Sequence, residues 1–316
     1  MPAATITIGL DVGYGSVKAC ASNGQVHQFE SITSRVSSIQ NGEGASPSLL
    51  HDTSGAWIVG KDAITYGTPQ APRIDSSWIL DDQYRVLSLH AINRFRIKEA
   101  DLVLGLPVSS YHRSAPQLKD LYTSWGRLGY QLRVLQVLPQ PVGTLWDVAY
   151  DEKAQNYLPE FGGRIGIVDI GSGTVDCIEM NDFKVSWDRR SSEPRGVARA
   201  HEFLYAHILE RHKVPCTLAE MSKVIADGYV TRFGKQVKLD SAIADAKRQV
   251  LIGMKAQMEQ LWGNQSQLKR IVFTGGGADF LRAELEKHFP VEQIVVPTDP
   301  ALANARGYLK FALASD

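Results

Sequence analysis

Two octapeptides carry the residue types that grip a polyphosphate: Asp11-Val-Gly-Tyr-Gly-Ser-Val-Lys18 and Asp169-Ile-Gly-Ser-Gly-Thr-Val-Asp176. A glycine in a tight turn reaches φ > 0 and removes the side chain that would hold an anion away from backbone N–H groups. An aspartate at the end of the incoming strand can hold a hydrated Mg²⁺ through its carboxylate. One Asp-x-Gly-x-Gly is also what an ordinary hairpin turn contains, so a single copy says little. The inference rests on the pair. Their first residues are 158 positions apart (169 − 11), half of the 316-residue chain. Two copies of one domain in tandem would have that spacing, and two such turns facing each other would clamp a polyphosphate from both sides.

Pro139-Gln140-Pro141 is the next candidate. Pro139 ends a strand and Pro141 suits the first turn of a helix, where a fixed φ helps and a missing N–H costs nothing. Gln140 is thereby displayed rigidly. Its side chain either caps the helix or orients an attacking water, as glutamine does in some nucleotide hydrolases. Thr274-Gly275-Gly276-Gly277 lies between an apolar strand and a helix. Either this is a flexible connection, or flat backbone lies against a ribose or adenine ring at a helix N-terminus. His90 has no partner by sequence and reads as a core or surface histidine. Phosphoryl transfer needs positioning and charge stabilisation more than a strong nucleophile. The sequence has no Gly-x-Ser-x-Gly elbow, Cys–His signature or His-Glu-x-x-His helix.

The elements that must position these residues follow from periodicity. Thr5 to Leu10, Val17 to Ala21 and Val26 to Ile32 read as a strand meander, turned at Asn23-Gly24. Ser37 to Ser76 is rich in Ser, Gly, Pro and Thr and reads as a loop-rich insertion with a strand-like piece at Ala56 to Val59. Tyr84, Leu87, Ala91, Ile92 and Phe95 mark a core-facing helix over Asp81 to Arg96. A strand (Asp101 to Leu106), a helix (Gln117 to Leu128), a strand (Gln131 to Leu138) and a helix (Val142 to Glu152) close the first half.

The second half repeats the plan. Strands surround the Asp169 turn, another runs from Phe183 to Arg189, and a helix from Gly196 to His212 carries Ala200, Phe203, Leu204, Ile208 and Leu209 on one face. Pro215 to Lys238 is a second insertion, with a short helix near Leu218 to Ala226. A long helix spans Ser241 to Trp262, with Ser241 as N-cap and Gly263 past its end. A strand from Lys269 to Phe273, a helix from about Phe280 capped by Asp279, and a last helix from Ala301 to Ala314 carrying Asn304 and Gly307 complete the chain.

Composition excludes some classes. Lys+Arg and Asp+Glu both number 34, so no basic excess supports nonspecific nucleic-acid binding. Hydrophobic residues make up 44%, enough for a sizeable core. Cys20, Cys177 and Cys216 are odd in number and widely spaced, which argues for neither a disulfide framework nor a zinc site and fits a reducing compartment. No signal-peptide pattern opens the chain, no apolar run reaches the ~18 residues of a membrane span, and neither end shows a basic amphipathic helix. A cytoplasmic protein without a membrane partner is expected.

Five features in fixed order make the chain resemble the actin-like ATPases, the superfamily of actin, the Hsp70 ATPase domain and sugar kinases. Asp11 to Lys18 matches the first phosphate motif, Pro139 to Gly143 the first connecting motif, Asp169 to Asp176 the second phosphate motif, Thr274 to Gly277 the adenosine motif and Asn304 to Gly307 the second connecting motif. Within the superfamily the chain looks most like the plasmid-segregation actins of the ParM/StbA type. The likeness rests on Leu106-Pro107-Val108-Ser109-Ser110-Tyr111-His112-Arg113, on Leu138 to Pro141 and on the Gly196-Val197 helix start.

The resemblance implies an α/β fold of two related actin-like (ribonuclease H-like) domains flanking a nucleotide cleft, each with a small insertion subdomain. Domain I is expected over 1–158, with an insertion at about 36–80 and the C-terminal helix 301–316 packing back on it. Domain II is expected over 159–300, with an insertion at about 213–240. ATP, or GTP in its place, would lie in the cleft with Mg²⁺ held by Asp11 and Asp169 through water. Gly13, Tyr14, Gly15, Ser16 and Lys18, then Gly171, Ser172, Gly173 and Thr174, would hold the phosphates. Gly196, Gly275, Gly276, Gly277 and Asn304 would complete the nucleotide site, and Gln140, Asp169 and Asp11 would serve hydrolysis. The implied function is an ATPase that polymerises into dynamic filaments and segregates plasmid DNA through a ParR-like, DNA-bound adaptor protein. Two alternatives share the fold: a non-filament ATP-dependent clamp or chaperone-like reactivating factor, and a small-molecule kinase.

Overall fold

The computed structural model describes residues 5–36, 48–52, 54–72, 77–194 and 196–314. Parts of the expected first insertion (37–47, 53 and 73–76), residues 1–4 of domain I and the last two residues of the C-terminal helix therefore lie outside the described residues.

Two five-stranded sheets share one topology. In the first, the order is Val26–Glu30, Ser16–Ala21, Ile6–Val12, Glu99–Leu106, Gln131–Pro139. In the second it is Lys184–Glu193, Val175–Asn181, Arg164–Ile170, Arg270–Thr274, Ile294–Val295. Each begins as an antiparallel meander and continues with two parallel strands. Parallel strands need helical crossovers that cover both faces, and accordingly both first strands are buried at every position but their first. The registers agree as well: Asp11 pairs with Lys18, and Asp169 with Asp176.

The insertions are more ordered than their composition implies. Gly55–Val59 and Leu50–Asp52 of the first form a three-stranded sheet with Thr33–Val36, which lies just ahead of the expected insertion, and the Lys61–Tyr66 helix follows. The second holds the Met221–Asp227 helix and a hairpin of Tyr229–Arg232 with Lys235–Lys238.

Several boundaries differ from expectation. The helix expected from Gln117 runs instead over Tyr111–Ser124, with Pro116 inside it and a 3₁₀ turn over Trp125–Leu128. Burial of Ser114, Leu118 and Tyr122 along one face outweighs the hydrogen bond that Pro116 cannot make. Ser241 is not the N-cap: its helix spans Asp240–Trp262, preceded by Leu239, which is buried against Leu204 and Ala242. The helix expected near Phe280 starts at Gly276, because Gly275 at φ +77° turns the strand directly into it. Asp279 therefore lies in the first turn, paired with Arg282 at 2.7 Å. The helix expected over Gly196 to His212 is α-helical over Ala198–His207 and ends in a π turn, Ile208–His212.

The halves meet through their closing helices. Gln140–Ala149 and Ala303–Ala314 cross where Gly143 faces Gly307, and a Cβ on either would penetrate the other helix. Arg306 donates twice to the Asp147 carboxylate, at 2.9 and 2.6 Å, and Lys310 donates to the Asp147 carbonyl at 2.7 Å. One core runs through the crossing and joins Val103, Leu138 and Leu145 to Ile167, Val272 and Tyr308.

Candidate functional site

Asp11 and Asp169 end the first strands of their sheets and are buried, at 3% and 7% exposure. Each accepts a hydrogen bond from the start of its own half's closing helix. Gln140 Nε2 donates to Asp11 Oδ1 at 2.8 Å, and Asn304 Nδ2 donates to Asp169 Oδ2 at 2.7 Å. Gln140 thus spends its amide on the cleft aspartate, and no side-chain cap is made at its helix start. Thr144 donates to Asn304 Oδ1 at 2.8 Å and lies 2.8 Å from Thr274 Oγ1, so a buried polar chain runs from the Gly275 turn to Asp169.

The two glycine turns have one shape. Gly13 N–H closes the first by donating to Ser16 O at 3.2 Å, and Gly171 N–H closes the second by donating to Thr174 O at 2.9 Å. These two N–H groups are therefore spent inside the turns. A Cβ on Gly15 would collide with the Ser172 side chain, so the turns of opposite halves touch.

Their cross-strand partners differ. Lys18 Nζ lies 3.5 Å from Asp11 Oδ2, whereas the second copy has Asp176 in that place, accepting from Thr174 Oγ1 at 2.7 Å and from Val108 N–H of the first half at 3.3 Å. Burial first, and then the negative charge of Asp11, push the Asp169 carboxyl up to about 7, against the opposing pull of the Asn304 hydrogen bond. Burial likewise raises Asp176, opposed by its hydroxyl and backbone donors.

Of the residues singled out in the sequence, Asp11, Gly13, Tyr14, Gly15, Ser16, Lys18, Gln140, Asp169, Gly171 to Thr174, Gly275 to Gly277 and Asn304 line one cleft of about 260 Å³ between the halves. Gly196 does not. It sits behind the second turn, donating to Gly173 O at 3.2 Å where a side chain would strike the Gly171 carbonyl, so it buttresses the turn. Asp176, the last residue of the second motif, lines the cleft too, as do Gln28, His201 and Ser222, which were not singled out. Strand register would have found Gln28, which pairs with Lys18; His201 and Ser222 belong to no motif.

Three carboxyl groups, of Asp11, Asp169 and Asp176, and the Lys18 ammonium line the cleft, and the two raised carboxyls would ionise more readily beside a cation arriving with a polyanion. Asp11 and Asp169 are the residues that would hold Mg²⁺, which keeps several waters and takes one or two carboxylates along with phosphate oxygens.

The comparisons with known proteins agree with this architecture. Residues 9–143 match the family model described as actin like proteins N terminal domain, and residues 167–287 match that of the archaeal actin homologue MreB-like, C-terminal. The chain belongs to the actin-like proteins. No curated protein matches it in sequence. Among solved structures it is similar to a non-polymerisable quadruple mutant of pCBH ParM, at 18% identity and a TM-score of 0.79, over 98% of this chain and 99% of that one. It is similar also to ParM of a 15-stranded filament from Clostridium botulinum, at 17% identity and a TM-score of 0.77, over 98% and 99% of the two chains. A third is Ta0583, an archaeal actin homolog in complex with ADP, at 21% identity and a TM-score of 0.68, over 97% and 99%. No helix among the described residues is long and apolar enough to cross a membrane.

Proposed function

We propose that the chain is a Mg²⁺-dependent ATPase that assembles into filaments with ATP, in the manner of the ParM-type actins, and that such filaments move plasmid DNA through a DNA-bound adaptor. One observation carries the reading: two copies of the same glycine turn, one from each half, face each other across a cleft whose paired aspartates are each held by an amide from a closing helix.

In this reading the turn N–H groups that remain after Gly13 and Gly171, together with Lys18, hold the phosphates, and Gly275 to Gly277 present bare backbone to the nucleoside. Mg²⁺, when bound, supplies the charge that neutralises the phosphate oxygens. Asp11 and Asp169 orient its water shell, and Gln140, anchored on Asp11, orients the water that attacks. Asp169, with its carboxyl near 7, can keep or release a proton within the physiological range. Because both halves grip one ligand, ATP favours a closed cleft and loss of the terminal phosphate loosens it. Neutral net charge accords with contact to DNA being left to an adaptor.

Light scattering of the purified protein on addition of Mg-ATP, followed together with phosphate release, tests the reading. A rise that decays as phosphate accumulates is expected. Phosphate release with flat scattering at every protein concentration would instead favour a nucleotide-driven clamp, and phosphorylation of a sugar or acid would favour a kinase. Co-sedimentation of the filaments with a candidate DNA-bound centromere-binding protein tests the adaptor.

A further inference from the structure

A second hollow, of about 210 Å³, lies against Val175, the residue that follows the second glycine turn, between the Ala198–His207 and Asp240–Trp262 helices. One wall is a line of Gln249, Gly253, Gln257 and Gln260 on the longer helix. Their spacing puts them on one face, and that face is polar where a helix packed on a neighbour is ordinarily apolar. Glycine is also among the residues that a helix interior tolerates least. A Cβ on Gly253 would stand 3.5 Å from Arg199 Nη1, so a longer side chain there would fill the space under the guanidinium.

Arg199 and Glu193 bring opposite charges to this hollow, and among the described residues neither makes an ion pair. Arg199 is half-buried and Glu193 exposed. A guanidinium set among amides calls for a planar carboxylate, which it grips through two parallel N–H donors. Glu193 repels a phosphate ester or a second carboxylate and accepts an ammonium group. The volume equals about seven water molecules at ~30 Å³ each, which is the scale of a free amino acid. The walls also reach the nucleotide cleft. Gln257, itself buried, donates from Nε2 to Val175 O at 3.0 Å and to Ser191 Oγ at 3.2 Å. Arg199 follows Val197 and Ala198, whose N–H groups donate to Gly171 O at 3.0 Å and Ser172 O at 2.9 Å. Both walls therefore hold the second glycine turn in place.

We propose that this hollow is an effector site for a free amino acid, with the carboxylate on Arg199, the ammonium on Glu193 and the side chain against the glutamine line, and that its occupancy shifts the affinity of the cleft for nucleotide. A zwitterion is the ligand because the hollow offers one unpaired group of each sign, and amides, which both donate and accept, suit a polar side chain. The ligand acts on the cleft through Gln257 and the Arg199 helix start, which bond to the turn that lines it. Linkage makes the effect reciprocal: nucleotide shifts the affinity for the amino acid by the same factor. The coupling rests on the nucleotide reading above; the binding does not.

Calorimetric titration of nucleotide-free protein with each of the common amino acids, and with acetate and methylammonium as single-charge controls, tests the site. Titration of a fluorescent ATP analogue with and without the best binder tests the coupling. At least one amino acid should bind, one per chain, and the controls should bind about tenfold more weakly or worse. Arg199→Met keeps the aliphatic stem and should weaken that binding about tenfold or more, the size of losing a charged hydrogen-bond partner. Gly253→Leu fills the hollow and should abolish it. Both variants should bind the analogue alone as the wild type does. In the wild type the amino acid should change the affinity for the analogue about fivefold, and in both variants this effect should vanish. No binding by any amino acid, or binding unchanged in both variants, overturns the site. Binding that leaves the affinity for the analogue unmoved overturns the coupling, and a protein that binds an amino acid but no nucleotide overturns the nucleotide reading instead.

Discussion

Gln140 and Asn304 stand in equivalent places. Each lies at the start of the helix that closes its half and donates its amide to the aspartate ending that half's first strand, at 2.8 Å to Asp11 and 2.7 Å to Asp169. Their surroundings separate them. Asn304 is fixed at its other end by Thr144, inside a fully buried hydroxyl pair, whereas Gln140 borders the cleft directly after the fixed φ of Pro139.

That difference predicts different phenotypes. Gln140→Ala should slow phosphate release about a hundredfold, the size typical of losing a group positioned on the reacting atoms. Nucleotide affinity should stay within about threefold, a change of ~0.7 kcal/mol. Single-turnover kinetics beside equilibrium binding decides this, and equal losses in both would make Gln140 a structural residue.

Asp169 is expected to oppose folding in the absence of ligand. Its carboxyl is raised to about 7 from an ordinary 3.8, so the folded state holds a proton that the unfolded chain has released across that window. Stability is therefore lost as pH rises from about 4 to 7, by on the order of 2–4 kcal/mol. Asp169→Asn should abolish turnover yet raise the melting temperature of nucleotide-free protein at pH 8, with little gain at pH 4. A lower melting temperature at pH 8 would contradict this. In the wild type, Mg²⁺-dependent nucleotide binding should tighten between pH 6 and 8 as the carboxylate forms.

His90 gives the opposite slope. It packs edge-on against Phe29, with ring centroids 4.8 Å apart, and burial followed by the Arg94 charge lowers it from 6.5 to about 4. The folded state keeps it neutral, so stability is full above about 6.5 and declines toward pH 4, by roughly 3 kcal/mol. Denaturant titrations of wild type and His90→Phe between pH 7 and 4.5 should diverge as pH falls; parallel curves would remove His90 from the acid response.

The Gly143 and Gly307 crossing leaves no room for a methyl group. Gly307→Ala should cost about 3 kcal/mol or more, at the upper end of overpacking penalties, and a melting temperature within ~1 °C of the wild type would show that the helices can separate freely.

Much of this was legible in the sequence because the glycine turns are local. Asp11 to Lys18 and Asp169 to Asp176 fix their own hairpins through short-range bonds, and duplication doubles the signal. Residues recruited from a distance left no such mark. Asp176 belongs to a recognised motif, yet its bond to Val108 crosses 68 positions, and the polar chain through Thr144 and Thr274 joins three separate elements. Gly196 misled because a glycine pressed against a backbone carbonyl and a glycine facing a ligand look alike in sequence. Helix starts at Tyr111, Asp240 and Gly276 were set by buried packing and by one left-handed glycine, neither of which a capping pattern reveals.

The crossing of the closing helices reaches beyond the cleft. The helix ending the first half, Gln140–Ala149, lies with Ile165, Ile167 and Val272 of the second sheet, while the helix ending the second half puts Ala305 and Tyr308 against Gly9 and Gly105 of the first. Each half has lent its last segment to the other. Severed near residue 160, neither fragment would carry its own lid, and two separately expressed pieces would have to find each other to fold. The chain has the anatomy of a domain-swapped dimer written as a single polypeptide.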